Sequence, residues 1–364
     1  MIKLSFVGDI ACDRPLLKAA KKGDQYDFSG VFQTNELFSN SDLLIGNLES
    51  CFGGGPKYGH KPYHYSVPDS FCTAIRDAGF DIVSTANNHC MDEGVEGLRR
   101  TLDVVHNYGI ETTGTFYGDE QQRYLLKEVN GIKLAFYSLT YTVNTCAEAF
   151  DCEDLSKYIN LVGYRNRKYS SNPAIRYYQT TLRPNLRKIK NKLKGKSTIL
   201  SYTDQLKNAV INEAWMEKID EQIRAAREKA DALIILLHIG GQFNEQPGDY
   251  TQYMMDHLCE LGADIIVGHH PHTVQKIEQR ENKVLAYSLG GYSLSPSGEY
   301  LVHSCLPEYS TALHVNIDDN GAVVGTSVDI LKCVEEPGGF MHVVKAEEDS
   351  SEVRKIQSRL FAQA

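Results

Sequence analysis

The sequence has no long hydrophobic run, and none of its apolar stretches approaches the roughly 20 residues that a membrane-spanning helix requires. From Met1 the chain runs directly into a strand-like pattern, without the charged and apolar segments of a secretory signal. These two absences predict a cytoplasmic protein with no membrane span.

The sequence also has no CxxC pair, although it contains nine cysteines. An odd number of scattered cysteines is typical of reduced thiols, not of a disulfide framework or a zinc knuckle. One of them, Cys90, lies in a polar turn and is a candidate reactive thiol, but the sequence offers no base to activate it.

Several functional motifs are missing as well. There is no GxxxxGK[ST] phosphate-binding loop, no GxSxG nucleophile elbow and no GxGxxG after the first strand. The sequence contains no recognised RNA- or DNA-binding module, so a nucleic-acid partner is not expected. Nothing in it indicates an oligomeric state.

The composition is that of an ordinary globular protein, with 364 residues, 42% hydrophobic and 23% charged. This length suits one large domain over residues 1–364, with a tyrosine-rich insertion or cap at 142–206 that interrupts the pattern. The formal net charge of −9 hides a basic run at 157–196, which has 12 Lys or Arg and no acidic residue. Such a run attracts anions. Arg165, Arg167 and Lys168 are therefore candidate contacts for an acidic polymer; the alternative is a solvated helix face.

Outside the insertion, short apolar strands alternate with amphipathic helices, the pattern of an α/β fold. Strands are predicted at 2–8, 42–46, 80–85, 110–113, 124–129, 133–139, 232–237, 264–267, 283–288, 311–317 and 323–331. Helices are predicted at 30–39, 68–78, 94–106, 207–229, 250–261 and 351–361.

The stretch at 81–97 is the most informative, because a strand, a polar turn and a helix follow one another there. The turn holds Asn87, Asn88, His89 and Asp92. Open α/β sheets place their chemistry at such strand ends. Amide and carboxylate oxygens suit a cation, and an imidazole suits proton transfer. The alternative is that these residues form the turn and cap the helix.

Polar residues end four further strands, and a single metal centre would explain all of them. These residues are Asp9, then Asn47 with Glu49, then His238, and finally His269, His270 and His272 around Pro271. The mixture suits Mn, Fe or Zn and is large enough for one or two ions. Two ions can hold a phosphoryl group and activate a water. Taken singly, Asp9 could cap a loop, Asn47 and Glu49 could be turn residues, and His238 could be a core histidine.

Together these motifs resemble the CapA family of capsule and poly-γ-glutamate biosynthesis proteins, of the PgsA type. The resemblance covers nearly the whole chain except about 142–206. It rests on Gly8-Asp9, Asn47-Leu48-Glu49, the ANNHxxDxGxxGL run at 86–98, His238 followed by Gly240 and Pro247, GHHPH at 268–272, and Tyr287-Ser-Leu-Gly.

That family is similar to calcineurin-like metallophosphoesterases, which implies a four-layer α-β-β-α sandwich. The resemblance implies a metal-dependent hydrolase that acts on a phosphoester or an anionic polymer, with His89 and Asp92 in catalysis and His269 and Gln242 near the substrate. The implied metal ligands are Asp9, Asn47, Glu49, Asn88, His238, His270 and His272.

Three positions depart from the family pattern. Ala11 stands where phosphoesterases have His, Gln242 where relatives have Glu, and Gly291 where they have Asn. A lost carboxylate removes one negative charge near the cations, so weaker metal binding is expected. The alternative function is therefore a catalytically weak member that binds an acidic polymer during envelope assembly.

Overall fold

Two β-sheets face each other in the computed structural model. The structure describes residues 1–54, 65–144, 152–163, 172–178, 182, 186, 202–298, 301–337 and 339–361. The first sheet has seven strands in the order β15 (Met341–Lys345), β14 (Val323–Glu335), β13 (Tyr309–Ile317), β1 (Ile2–Ile10), β4 (Leu43–Leu48), β5 (Ile82–Ser84) and β6 (Glu111–Thr113). The second has six, in the order β11 (Ile277–Arg280), β12 (Lys283–Ala286), β10 (Ile265–His269), β9 (Ala232–His238), β8 (Ile132–Thr140) and β7 (Leu125–Val129). A small hairpin of β2 (Lys21–Lys22) and β3 (Gln25–Tyr26) stands apart.

Helices cover the outer face of each sheet. On the first sheet lie α1 (Arg14–Ala20), α2 (Asn35–Phe38), α3 (Ser70–Asp77) and α4 (Gly94–Asn107). On the second lie α7 (Glu213–Arg227) and α8 (Asp249–Glu260). The remaining helices are α5 (Cys152–Tyr158), α6 (Pro173–Tyr177) and the C-terminal α9 (Ser351–Leu360). No described helix combines the length and the apolar content that a membrane crossing needs.

Three apolar layers hold this arrangement together. Between the sheets, alternate residues such as Leu4 and Phe6 of β1 meet Phe136 of β8 and Ile234 of β9. The opposite faces of the strands pack against the helices, as strand alternation requires. The predicted four-layer α-β-β-α sandwich is therefore confirmed.

Most predicted elements are present, with two corrections in the helices. The helix predicted at 30–39 is only Asn35–Phe38, and α1, which precedes it, lies where the sequence pattern predicts a loop. The helix predicted from 207 begins at 213, where the Asn212 side chain caps the backbone N–H of Trp215, and short 3-10 turns precede it. The edge strands β11 and β15 are not among the predicted strands.

The sheet topology brings the strand ends together. In the first sheet β1, β4, β5 and β6 are parallel, and in the second β8, β9, β10 and β12 are parallel. Two glycines directly precede polar residues at these ends: a Cβ on Gly8 would lie 1.9 Å from the Gly290 oxygen, and one on Gly268 would lie 2.0 Å from the Tyr287 oxygen. Glycine is needed at both positions because the neighbouring backbone passes so close.

Candidate metal centre

Asp9 is the hub of the polar cluster at the strand ends. Its fully buried carboxylate accepts hydrogen bonds from the Asn47 amide at 2.7 Å and from the backbone N–H of His270 at 3.1 Å. The ring Nδ1 of His272 lies 3.0 Å from Oδ2, and Nδ1 of His269 lies 3.4 Å from Oδ1. Asp9 therefore connects β1 and β4 of the first sheet to the loop after β10 of the second.

Asn47 orients its amide toward this hub. Its Oδ1 accepts hydrogen bonds from the Ser84 hydroxyl at 3.0 Å and from the Asn87 amide at 3.3 Å. Its Nδ2 faces Asp9 and the Nδ1 of His238, the latter at 3.2 Å. In this orientation Asn47 offers a donor to the cluster, and its oxygen is already engaged.

Glu49, just beyond β4, is the least satisfied residue of the cluster. Its side chain is 1% exposed, and neither carboxylate oxygen has a hydrogen-bond partner in the described part of the chain. The Nε2 of His238 and the Nδ1 of His272 each lie 3.7 Å from one of its oxygens, too far for a hydrogen bond. A buried carboxylate without partners is rare, and a bound cation would satisfy it.

Three imidazoles face this carboxylate. His238 ends β9, and its ring lies 4.8 Å from that of His270. His270 and His272 both have positive φ angles, 96° and 53°. Such a conformation is unfavourable for a non-glycine residue, persists where surrounding structure enforces it and often marks functional sites. Here it turns the rings of His270 and His272 toward Glu49.

The charges in the cluster depend on one another. Burial alone would raise the pKa of Asp9, but the neighbouring rings of His269 and His272 lower it well below its usual range. Burial raises the pKa of Glu49 well above its usual range, and the His272 charge offsets this only in part. Burial also lowers the pKa of His238 and brings that of His270 to about 3, so both rings are neutral. Neutral imidazoles are the form that binds metal.

The candidate ligands fall into two groups that share Glu49. One group is Asp9, Glu49 and His238, and the other is Glu49, His270 and His272. Within each group the ligand atoms lie within 4.8 Å of one another, and all the residues are buried. Both groups are made of carboxylate and imidazole side chains at ligand spacing, so the residues present fit a metal centre.

His89 and Asp92 form a pair beside this centre. The ring Nδ1 of His89 lies 2.7 Å from Asp92 Oδ2, which also accepts the backbone N–H of Tyr65 at 2.7 Å. The Nε2 of His89 lies 4.0 Å from Glu49 Oε1, so the free edge of the ring faces the candidate ligands. Helix α4 starts after Glu93 without a side-chain cap, so Asp92 does not cap it.

Asn88 points its oxygen into the centre, and Asn144 holds it there. Asn88 Oδ1 lies 2.8 Å from the Nε2 of His238, while its Nδ2 donates to Asn144 Oδ1 at 3.4 Å. The backbone N–H of Asn144 donates to the Asn88 carbonyl at 2.8 Å. The Asn144 Nδ2 also lies 3.4 Å from both ring nitrogens of His89. Asn144 thus contacts both a ligand candidate and the catalytic candidate.

The structure leaves some predicted residues away from this cluster. Gln242 is exposed in the loop after β9, whereas the adjacent Phe243 lies with its ring 6.0 Å from that of His272. The predicted polymer contacts Arg165, Arg167 and Lys168 lie outside the described residues. Cys90 is buried, and burial raises the pKa of its thiol to about 12, so it is not an activated nucleophile.

Two residues that the sequence pattern does not single out complete the cluster. Tyr141 places its hydroxyl 3.2 Å from the Nε2 of His270, and Asn144 follows in the same loop. Both come just after β8, at the boundary where the sequence pattern places the start of the insertion. Both residues could have been predicted from the sequence, because polar residues after a buried parallel strand identified every other member of the site.

We expect Asn144→Ala to weaken metal binding while leaving the fold intact. The change removes the acceptor that keeps the Asn88 oxygen turned inward, and the loss of such an outer partner costs roughly 10–100-fold in metal affinity. Calorimetric titration of the metal-free protein with Mn²⁺ measures the effect. The control is Asn35→Ala, which removes an exposed side-chain bond to the Asp77 carbonyl. Equal affinities for both variants would contradict the assigned role of Asn144.

Comparisons with known proteins agree with this description. The family described as bacterial capsule synthesis protein PGA_cap matches residues 3–293. The chain is 25% identical to the PGA biosynthesis protein CapA of Bacillus subtilis (strain 168), over 93% of this chain and 74% of that protein. It is 23% identical to the capsule biosynthesis protein CapA of Bacillus anthracis, over 89% of this chain and 66% of that protein.

Solved structures are more distant. The 5'-nucleotidase precursor from Thermus thermophilus is 12% identical, with a TM-score of 0.39, and the alignment covers 99% of this chain and 58% of that one. A likeness this weak carries no weight for function. The family match spans most of the chain and includes every strand end of the cluster. The chain therefore belongs to the bacterial capsule synthesis protein PGA_cap family.

Proposed function

We propose that the protein is a metal-dependent hydrolase that cleaves a phosphoester, or a bond in an anionic polymer, during the assembly of a capsule or envelope polymer. The observation that carries this proposal is Glu49, whose buried carboxylate has no hydrogen-bond partner among the described residues and is shared by two groups of candidate ligands. Burying an unpaired carboxylate is costly, and a cation removes that cost.

Asp9, His238 and Glu49 would hold one divalent ion, and His270, His272 and Glu49 a second, with Asn88 as a further oxygen ligand. We propose Mn, Fe or Zn, because mixed carboxylate, amide and imidazole ligands suit these metals. When bound, such ions lower the pKa of a water and polarise a phosphoryl oxygen. Asn47, whose nitrogen faces Asp9, is assigned to positioning that carboxylate instead of binding the metal.

His89 is the proposed general acid. Its Nδ1 is held by Asp92, which fixes the ring and leaves Nε2 to carry the proton that is given to the leaving oxygen. Tyr65 packs against the same ring at 4.4 Å between centroids and restricts its rotation. Asp92 acts through this contact, so we assign it a positioning role beside the catalytic His89.

The substrate class rests on the relatives and on charge. Two relatives bear names of PGA or capsule biosynthesis, and the run at 157–196 has 12 basic and no acidic residues. We therefore propose an anionic chain as the substrate, with Arg165, Arg167 and Lys168 as contacts. We further propose the cytoplasm as its location, because Cys51, Cys72, Cys90, Cys259, Cys305 and Cys333 form no disulfide, as a reducing compartment favours.

The test is turnover with added Mn²⁺. The substrates are bis(4-nitrophenyl) phosphate, 4-nitrophenyl phosphate and poly-γ-glutamate, with chain length followed by gel electrophoresis. The proposal expects metal-dependent release of product from at least one of them. If no divalent ion supports turnover, but poly-γ-glutamate binds with an affinity that falls as salt rises, the hydrolase proposal fails. The alternative of a polymer-binding protein then stands.

A further inference from the structure

A second polar site lies away from the metal centre, at the base of the insertion, and is built around Arg123. This guanidinium is 2% exposed, and no carboxylate oxygen lies within 4.0 Å of it in the described ranges of the chain. Buried charges are normally paired, because taking an ion out of water costs several kcal/mol. Burial accordingly lowers the pKa of Arg123.

Neutral groups satisfy only part of this side chain. Its Nε donates to Asn160 Oδ1 at 2.8 Å and its Nη1 donates to the Lys157 carbonyl at 3.1 Å. The guanidinium carbon lies 4.3 Å from the centroid of the Phe116 ring. Its Nη2 has no hydrogen-bond partner anywhere in the described structure, so one charged donor remains unused.

Arg123, whose Nη2 is this unused donor, lines a small cavity between β8, α5 and α7. Tyr137, a fully buried residue of β8, lines the same cavity, and its hydroxyl also lacks a partner among the described residues. Further donors of the lining belong to Ser156, Trp215, Lys218 and Gln222, and none of the described lining residues is acidic. The cavity of about 10 Å³ has room for a single species of about the size of a water molecule.

We infer that this cavity is a binding site for one small monovalent anion of halide size. A water molecule would accept hydrogen bonds from Arg123 and Tyr137 but would leave the guanidinium without a counter-ion in contact, since Asp119 and Glu120 act on its charge only from beyond 4.0 Å. An anion supplies both the acceptor and the charge. Polyatomic anions such as phosphate are too large for the volume. Because Arg123 contacts Lys157 and Asn160, a bound anion stabilises the attachment of residues 152–163 to the second sheet.

The inference does not depend on the metal centre, and its test does not measure activity. Thermal unfolding is followed as sodium chloride replaces sodium gluconate at constant ionic strength. The unfolding temperature of the wild-type protein is expected to rise with the chloride concentration and then to level off, as specific binding to the folded state requires. Crystals soaked in bromide are expected to show an anomalous peak within hydrogen-bond distance of the Arg123 Nη2.

Two variants identify the site. Tyr137→Phe removes one donor without changing the shape of the core, and it is expected to raise the half-saturating chloride concentration by about 10-fold or more. Arg123→Met is expected to abolish the chloride response; if this variant does not fold, Tyr137→Phe decides. The control is Tyr250→Phe, a buried tyrosine of α8 that does not line this cavity. The inference is overturned if the protein is equally stable in chloride and in gluconate. It is also overturned if the soaked crystals show no bromide signal and a water or a carboxylate of the chain lies at the Arg123 Nη2.

Discussion

Replacing Glu49 with glutamine is expected to abolish metal binding and turnover without loss of stability in the metal-free protein. Glutamine keeps the shape of the side chain but removes the charge that two cations would share. Removing an outer-shell partner of a metal site costs roughly 10–100-fold, so the loss of the shared ligand should cost more. Metal content and Mn²⁺-dependent hydrolysis measure both effects.

The stability result is what makes this variant informative. Burial raises the pKa of Glu49, so the metal-free protein must either protonate this carboxyl group or bury its charge, in both cases without a hydrogen bond from the described residues, and glutamine removes the need to do either. Such groups cost about 1–3 kcal/mol or more. In the presence of chelator, Glu49→Gln should therefore unfold at the same temperature as the wild type or at a higher one. A large fall would indicate a structural role for Glu49.

Glu278→Gln serves as the matched control. The Glu278 carboxylate, on the edge strand β11 and outside both groups of candidate ligands, pairs with Lys276 and, at 2.7 Å, with Arg280. Removing its charge should lower stability and leave metal content unchanged, the reverse of the result for Glu49. If both variants retained metal, Glu49 would not be a ligand.

The second large effect is expected for His89→Ala, which should lower kcat by about 10²–10⁴-fold while the metal content stays near that of the wild type. His89 approaches the candidate ligands only through Nε2, at 4.0 Å from Glu49, and its other nitrogen is bound to Asp92. Its removal therefore takes away a proton donor and leaves the ligand set intact.

The way in which the loss of activity depends on the leaving group distinguishes a general acid from a metal ligand. A 4-nitrophenolate leaves without protonation, whereas an alkoxide needs a proton, so the variant should lose more activity on an alkyl ester than on a nitrophenyl ester. His106→Gln, an exposed histidine near the end of the same helix α4, is the control and should retain full activity. An equal loss on both esters, accompanied by loss of metal, would assign His89 to metal binding instead.

Strand ends explain why so much of the centre could be predicted from the sequence. Asp9, Glu49, His238 and the GHHPH loop each lie at or just beyond the end of a buried strand, and parallel strands bring their carboxyl ends to one edge of a sheet. The pattern identifies which residues meet. It does not show which atom of Asn47 faces Asp9, because that depends on the Ser84 hydroxyl, which is remote in sequence.

Other features could not be predicted because they depend on tertiary contacts. The contact between Asn144 and Asn88 is one of them, because it joins residues that are 56 positions apart, although the place of Asn144 just after β8 was itself a signal in the sequence. The edge strand Met341–Lys345 is short, and its register is set by pairing with β14. Helix α1 is a different case, since Asp13 as cap and a proline in the first turn were available as signals in the sequence.

The most direct test of the metal centre is the metal content of wild-type protein that has been purified without chelator, measured by elemental analysis together with anomalous diffraction. We expect one or two equivalents of Mn, Fe or Zn, with an anomalous peak bonded to Glu49 and to at least two of Asp9, His238, His270 and His272. Protein that contains no metal and binds none of these ions on titration, with Glu49 hydrogen-bonded to water alone, would contradict this expectation.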